Sequence, residues 1–204
     1  METRAKTINL VDRVRRILVS PSSEWDVIEA EPLSQRDLFT SYVMPLAAIG
    51  PVARLIGYSV IGLSVFMGGV YRVPLVSGLA SAVVLYGLML GGTYLLGLII
   101  DGLAPTFNGH RSRIQALKLA AFSSTPAWLA GAFMLIPALS PLMILGVYSV
   151  YLLYLGLPKL MKSPPDKTLA YAAVVVVAGI VIFAMTGAIA GRLIPVPTAA
   201  VTIP

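Results

Sequence analysis

The stretch LVSGLASAVVLYGLMLGGTYLLGLII, Leu75 to Ile100, contains no charged residue. A membrane-crossing helix needs about 20 mostly apolar residues, because the hydrocarbon core is about 30 Å thick and each residue rises about 1.5 Å. Leu75–Ile100 meets that length with a margin. Working outward, four more runs follow the same rule: one within Leu38 to Met67, then Ala116 to Ile136, Leu142 to Leu160 and Leu169 to Gly191. One such run is compatible with the core helix of a soluble domain. Five in 204 residues, at 57% hydrophobic and 12% charged, are not. The fold class is all-α: a polytopic membrane protein with five transmembrane helices behind an amphipathic N-terminal segment. The expected organisation is a cytoplasmic segment over 1–37, a five-helix bundle over 38–194 and a short Pro-rich external tail over 195–204.

Basic residues orient the bundle, because Lys and Arg concentrate in cytoplasmic loops. Arg4, Lys6, Arg13, Arg15, Arg16 and Arg36 precede the first span. Arg111, Arg113 and Lys118 lie between the second and third spans or just inside the third, and Lys159, Lys162 and Lys167 lie around the fourth-to-fifth connection. Arg72 and Arg192 fall on the other side, and Arg54 lies inside the first span. The N-terminus is therefore expected in the cytoplasm and the C-terminus outside, in the cell's inner (plasma) membrane. The net charge of +6 records this asymmetry, so nucleic acid is not an expected partner. No cleavable signal peptide is visible, which leaves the first span as the targeting signal. Cysteine is absent, which excludes disulfides and thiolate chemistry.

Residues Ile8 to Val19 have the pattern of a basic amphipathic helix. Leu10, Val11, Val14, Ile17 and Leu18 recur at helical spacing, with Asp12, Arg13, Arg15 and Arg16 between them. Such a helix either lies in the interface of an anionic cytoplasmic leaflet or packs under the bundle. Pro21 ends it, and a second short helix carries Trp25, which reads as an interfacial anchor. Glu24, Asp26, Glu29 and Glu31 read as its solvated acidic face. Ser34 and Asp37 form a capping box ahead of the first span.

Within the spans, Pro45, Pro51 and Pro126 are expected helix breaks, since each removes a backbone donor and clashes one turn back. A crossing that starts near Tyr42 puts Arg54 about 18 Å deep. A charge there costs about 2.5 to 3.5 kcal/mol on insertion scales and should face the bundle interior or water. Asp101 ends the second span too far away to pair with it. The expected partners are Ser124, Thr125 and Tyr151, in an intramembrane polar cluster that either holds helices together or lines a path. Small-residue spacing at Gly87 and Gly91, and at Gly187 and Gly191, marks candidate close packing within the chain or between chains.

No Walker loop, zinc motif, nucleophile elbow or carboxylate pair is present, and one histidine cannot build a metal site. No catalytic residue, metal site or cofactor is expected. Coupled ion transport generally needs intramembrane acids, and the spans carry none away from their ends.

Several stretches, in order, resemble the Yip family of Ypt/Rab-interacting membrane proteins, in its bacterial branch. They are Ser20-Pro21 with Trp25, Ile28 and Pro32; Tyr42-Val-Met-Pro-Leu-Ala-Ala-Ile49; Leu103-Ala-Pro-Thr-Phe107; and Gln115-Ala-Leu-Lys118. Thr125-Pro-Ala-Trp-Leu-Ala-Gly131, Ile136-Pro-Ala-Leu139 and Tyr151-Leu-Leu-Tyr-Leu-Gly-Leu-Pro158 with Met161-Lys-Ser-Pro164 complete the set. The resemblance implies a cytoplasmic N-terminal segment and five spanning helices. Eukaryotic members act in ER and Golgi trafficking and associate with Rab GTPases and with one another. Their Asp-Leu-Tyr-Gly-Pro signature is not found here, Asp37-Leu38-Phe39 being its nearest echo, so the Rab role does not carry over. The expected function is non-enzymatic: an integral membrane protein, self-associating as a homo-oligomer, that organises the membrane or an unidentified membrane or cytoplasmic protein partner. The alternative is a channel, lipid-translocating protein or uncoupled transporter with a polar path near Arg54.

Overall fold

Proline, serine and glycine positions set where each helix starts and stops. The computed structural model describes residues 9–64 and 70–192; the expected external tail over 195–204 lies outside them. Asn9 caps α1 (Leu10–Val19) by accepting from the Asp12 amide. Pro21 then opens α2 (Pro21–Ala30), where a missing N–H at the first turn costs nothing. Ser34 opens α3 (Gln35–Ile61) by accepting from the Asp37 amide at 3.1 Å while its hydroxyl donates to the Asp37 carboxylate at 2.6 Å. A two-residue antiparallel pairing, Leu63 with Tyr71 and Ser64 with Val70, turns the chain back. α4 (Leu75–Phe107) returns, and left-handed Asn108 ends it. The next helical run has three pieces: α5 (Arg113–Ser123), α6 (Thr125–Ala130) and a 3-10 turn over Gly131–Leu135. α7 (Pro137–Leu160) and α8 (Pro165–Arg192) complete the bundle.

Among the described residues, α3, α4, α7 and α8 are long and apolar enough to cross a membrane. The expected span over Ala116–Ile136 is not one of them, so the count by length and apolarity is four rather than five. Lys118, Ser123, Ser124 and Thr125 dilute its apolar character, and the helix breaks at Ser124. This same run is the most enclosed part of the bundle: all of Ala116 to Ser123 is buried. The four apolar helices instead turn residues such as Val177, Ile180, Phe183 and Ile144 outward. An enclosed helix is shielded by its neighbours and has less need of a hydrocarbon-compatible surface.

All three expected breaks coincide with changes of helical register. A π-turn over Phe39–Val43 precedes Pro45, which accommodates the ring without a clash one turn back. A turn at Ala48 precedes Pro51, and the Tyr86 hydroxyl on α4 donates to the Met44 carbonyl nearby at 3.2 Å. Before Pro126 the break falls at Ser124, whose hydroxyl donates to the Ala120 carbonyl at 2.7 Å. Close helix approach falls at glycines other than those expected. A Cβ on Gly131 would lie 2.8 Å from the Gly50 Cα, and one on Gly57 would lie 2.1 Å from the Met134 carbonyl oxygen. Gly87, Gly91, Gly187 and Gly191 have nothing within 4 Å of a Cβ position, so they pack closely against no other helix among the described residues.

Candidate functional site: a buried ionic seat for the N-terminal helices

The core lies in the half of the bundle that receives α1 and α2. Trp25, Ile28, Leu38, Tyr42, Leu119, Phe122, Leu152 and Leu157 are all fully buried there. Trp25 is the correction of largest consequence. It is not an interfacial anchor: it is fully buried, edge-on to Phe122 at 6.4 Å between ring centroids. A Cβ on Gly156 of α7 would meet its ring at 2.9 Å, so Gly156 is what lets the indole in. α1 likewise packs on the bundle, through Ile17 and Arg13, while Val11 and Val19 stay exposed. The Tyr148 hydroxyl of α7 fastens it further by donating to the Leu18 carbonyl at 3.1 Å.

Charges complete the seat. Arg13 is 4% exposed, yet it donates to Glu24 at 2.6 Å and to Glu31 at 2.5 Å. Arg16 reaches the other oxygen of Glu24 at 3.0 Å. The Arg13 guanidinium also lies 5.8 Å over the Phe122 ring, where a cation gains from the ring quadrupole. Lys118, 2% exposed on α5, sends its ammonium to the end of α2, donating to the carbonyls of Ile28 at 2.8 Å and Glu31 at 2.6 Å. Gln115, one turn before it, donates to the Glu29 carbonyl at 3.0 Å. The last carbonyls of a helix have no partner within it, and its C-terminal end carries partial negative charge. Lys118 and Gln115 answer both needs, which gives Gln115-Ala-Leu-Lys118 a physical purpose.

The acidic face of α2 is therefore not a solvated one. Besides Glu24 and Glu31, Asp26 pairs with Lys159 in the last turn of α7 and Glu29 with Lys162 just beyond it. These two exposed pairs contribute little stability individually, on the order of 0 to 1 kcal/mol. The buried Arg13–Glu24–Glu31 set decides much more, because losing one member strands a charge out of water. Sequence reading missed this seat. Its trace was available: four acids within eight residues, on the side of the membrane where the basic residues cluster.

The expected polar cluster does not assemble. Thr125 bonds Tyr42 instead, hydroxyl to hydroxyl at 2.8 Å in the core, joining α6 to α3. Ser124 is occupied with Ala120. Tyr151 is 48% exposed and lies against Tyr148 at 5.4 Å between centroids. Arg54 faces Tyr58, 5.7 Å over its ring. α3 runs from Gln35 to Ile61, so Arg54 lies about 28 Å along the helix from its start and about 10 Å from its end at Ile61. Asp101, as expected, does not reach it and faces Arg111 at 4.0 Å. No group of three or more His, Cys, Asp or Glu side chains suited to a metal ion occurs among the described residues.

Apolar helices of crossing length, with lipid-compatible outer faces and a charged seat at one end, define an integral membrane protein. The Yip1 domain family model matches residues 15–186, so the chain belongs to the Yip1 family. It is similar to the inner membrane protein YohC of Escherichia coli strain K12, at 28% identity over 166 residues, covering 79% of this chain and 85% of that protein. The YohC of strain CFT073 matches equally. No solved structure matches.

Proposed function

We propose that the chain is a non-enzymatic, five-crossing inner-membrane protein that organises membrane or protein partners through self-association. The seating of α1 and α2 carries this reading. Tied to α5 and α7, they form a fixed platform at one end of the bundle, with Arg15, Arg16, Val11 and Val19 exposed on it. A fixed basic and apolar platform suits an anionic leaflet surface or a docking partner. In this reading α5, α6 and the following 3-10 turn make the fifth crossing, sheltered by the apolar helices. The basic asymmetry puts the platform in the cytoplasm and the C-terminus outside. A periplasm-dependent alkaline phosphatase fused after residue 204 should be active; an inactive fusion, with a cytoplasm-dependent reporter active instead, would reverse the topology.

Self-association is supported by the small-residue faces of α4 and α8, which are exposed and meet no close neighbour among the described residues. The transport alternative has less support, because the polar residues it needs are separated: Thr125 is occupied with Tyr42 and Tyr151 lies at the surface. The chain has no cysteine, so one introduced at Gly91 reports cleanly. Oxidation of Gly91→Cys in native membranes should yield a covalent dimer, while Ile144→Cys on the outward face of α7 should not. Equal, collision-limited yields at both positions would remove the case for a dimer through this face.

A further inference from the structure

The far end of the bundle, opposite α1 and α2, carries basic side chains that no acidic side chain pairs with among the described residues. None of the nine acidic residues falls between Leu38 and Ile100 or between Gly102 and Pro165. Arg54, near the end of α3, has no hydrogen-bonded or ion-paired partner among the described residues; it meets only the Tyr58 ring face. Arg72 is close by, its Nε donating to the Val60 carbonyl at 3.1 Å. Beside Arg54, between α3 and α4, lies a recess of about 20 Å³ lined by Pro51, Arg54, Tyr58, Ser59, Gly78 and Ser81. That is room for one water or one ligand oxygen.

Two observations make the recess a site rather than a packing flaw. The Ser81 hydroxyl is buried, the residue only 3% exposed, and has no hydrogen-bond partner; the Ser59 hydroxyl has none either. Buried hydroxyls are rarely left so, since each unpaired group carries a desolvation cost. Gly78 makes the space: a Cβ there would lie 2.5 Å from the Ser59 hydroxyl oxygen. The result is a cation, an aromatic ring and two idle hydroxyl donors around one oxygen-sized space. α3 spans about 40 Å, longer than the hydrocarbon core is thick, which allows its end at Ile61 to extend to headgroup level with Arg54 about 10 Å below that end.

We propose that this recess binds a phosphate anion, of the kind a phospholipid headgroup presents, with one phosphate oxygen between the Ser59 and Ser81 hydroxyls and the charge answered by Arg54. Charge-assisted hydrogen bonds to phosphate are the strong ones, and arginine suits phosphate geometry. Free phosphate shares this chemistry, and the test separates the two. The full chain is purified in dodecyl maltoside, which has no phosphate, and dioleoyl phosphatidylglycerol is titrated against it by native mass spectrometry. Wild type should retain one lipid. Arg54→Gln should weaken retention about tenfold or more, and Ser59→Ala with Ser81→Ala also about tenfold or more, hydrogen bonds to charged groups being of that strength. Arg54→Lys should restore part of the loss. Retention that resists millimolar inorganic phosphate assigns the site to lipid; displacement by it assigns the site to the soluble anion. Equal retention by wild type and both variants would overturn the proposal, as would no retention by wild type, leaving a water in the recess. Should Arg54→Gln fail to fold, the double serine variant decides, because it leaves the charge in place.

Discussion

Lys118→Met is expected to unseat α2 from the bundle. Methionine matches the length and apolar stem of lysine but offers no donor, so the Ile28 and Glu31 carbonyls lose the ammonium that satisfies them. Glu31 also keeps its charge and its bond to Arg13 while losing a nearby cation. Leaving a buried carbonyl unsatisfied costs about 1 to 3 kcal/mol, and this substitution strands two. That is a large fraction of the stability of a domain this size. Limited trypsin digestion should read it out directly. In the wild type, cleavage at the buried Arg13 should be slow; in Lys118→Met it should accelerate at least tenfold, while the helices beyond Gln35 stay intact. Lys118→Arg tests the geometry: it restores charge in a volume that accommodates a more compact head, so partial protection is expected.

Trp25→Ala should have an effect of similar size by a different route. The indole fills the space between Leu119, Phe122 and Gly156. Truncating a buried tryptophan costs about 3 to 5 kcal/mol, from lost burial and from the cavity left behind. Thermal unfolding in detergent should shift downward by several degrees, and the tryptic profile should match that of Lys118→Met. Trp25→Phe is the informative comparison. The indole N–H has no partner among the described residues, so phenylalanine removes volume but no hydrogen bond and should cost much less. An anchor at the lipid interface would behave in the opposite way, since its value lies in the polar N–H at the headgroup level.

Helix positions were legible because hydropathy and prolines are local signals. The run Leu75–Ile100 became the body of α4, and Pro45, Pro51 and Pro126 each adjoin a register change. What failed depended on which faces meet. Arg54, Thr125 and Tyr151 share no neighbourhood because Tyr42, about three turns before Arg54 on α3, takes Thr125, while Arg54 meets Tyr58 and Tyr151 meets Tyr148. Trp25 misled for a related reason: a tryptophan flanked by acids beside a membrane span has the same local pattern whether it rests on lipid or fills a core. Glu24 and Glu31 read as solvated because their partner Arg13 lies in another helix, and Lys118 lies some ninety residues away. Gly87 and Gly91 matched a packing motif, whereas the tight contacts fall at Gly50, Gly57, Gly131 and Gly156, which share no simple spacing.

The central claim is that α1 and α2 are seated on the bundle rather than spread on the bilayer. Its most direct test needs no substitution. Asp26 and Lys159 form an ion pair between α2 and α7, and both are exposed enough for reagent to reach them. Treating wild-type protein in native membranes with a zero-length carbodiimide, which joins only carboxylates and amines already in contact, should link the α2 peptide to the peptide around Lys159 within one chain, as read by peptide mass spectrometry. The Glu29–Lys162 pair should give a second link in the same experiment. Absence of both links, under conditions where exposed lysines react, would contradict the seating and return α1 and α2 to the membrane surface.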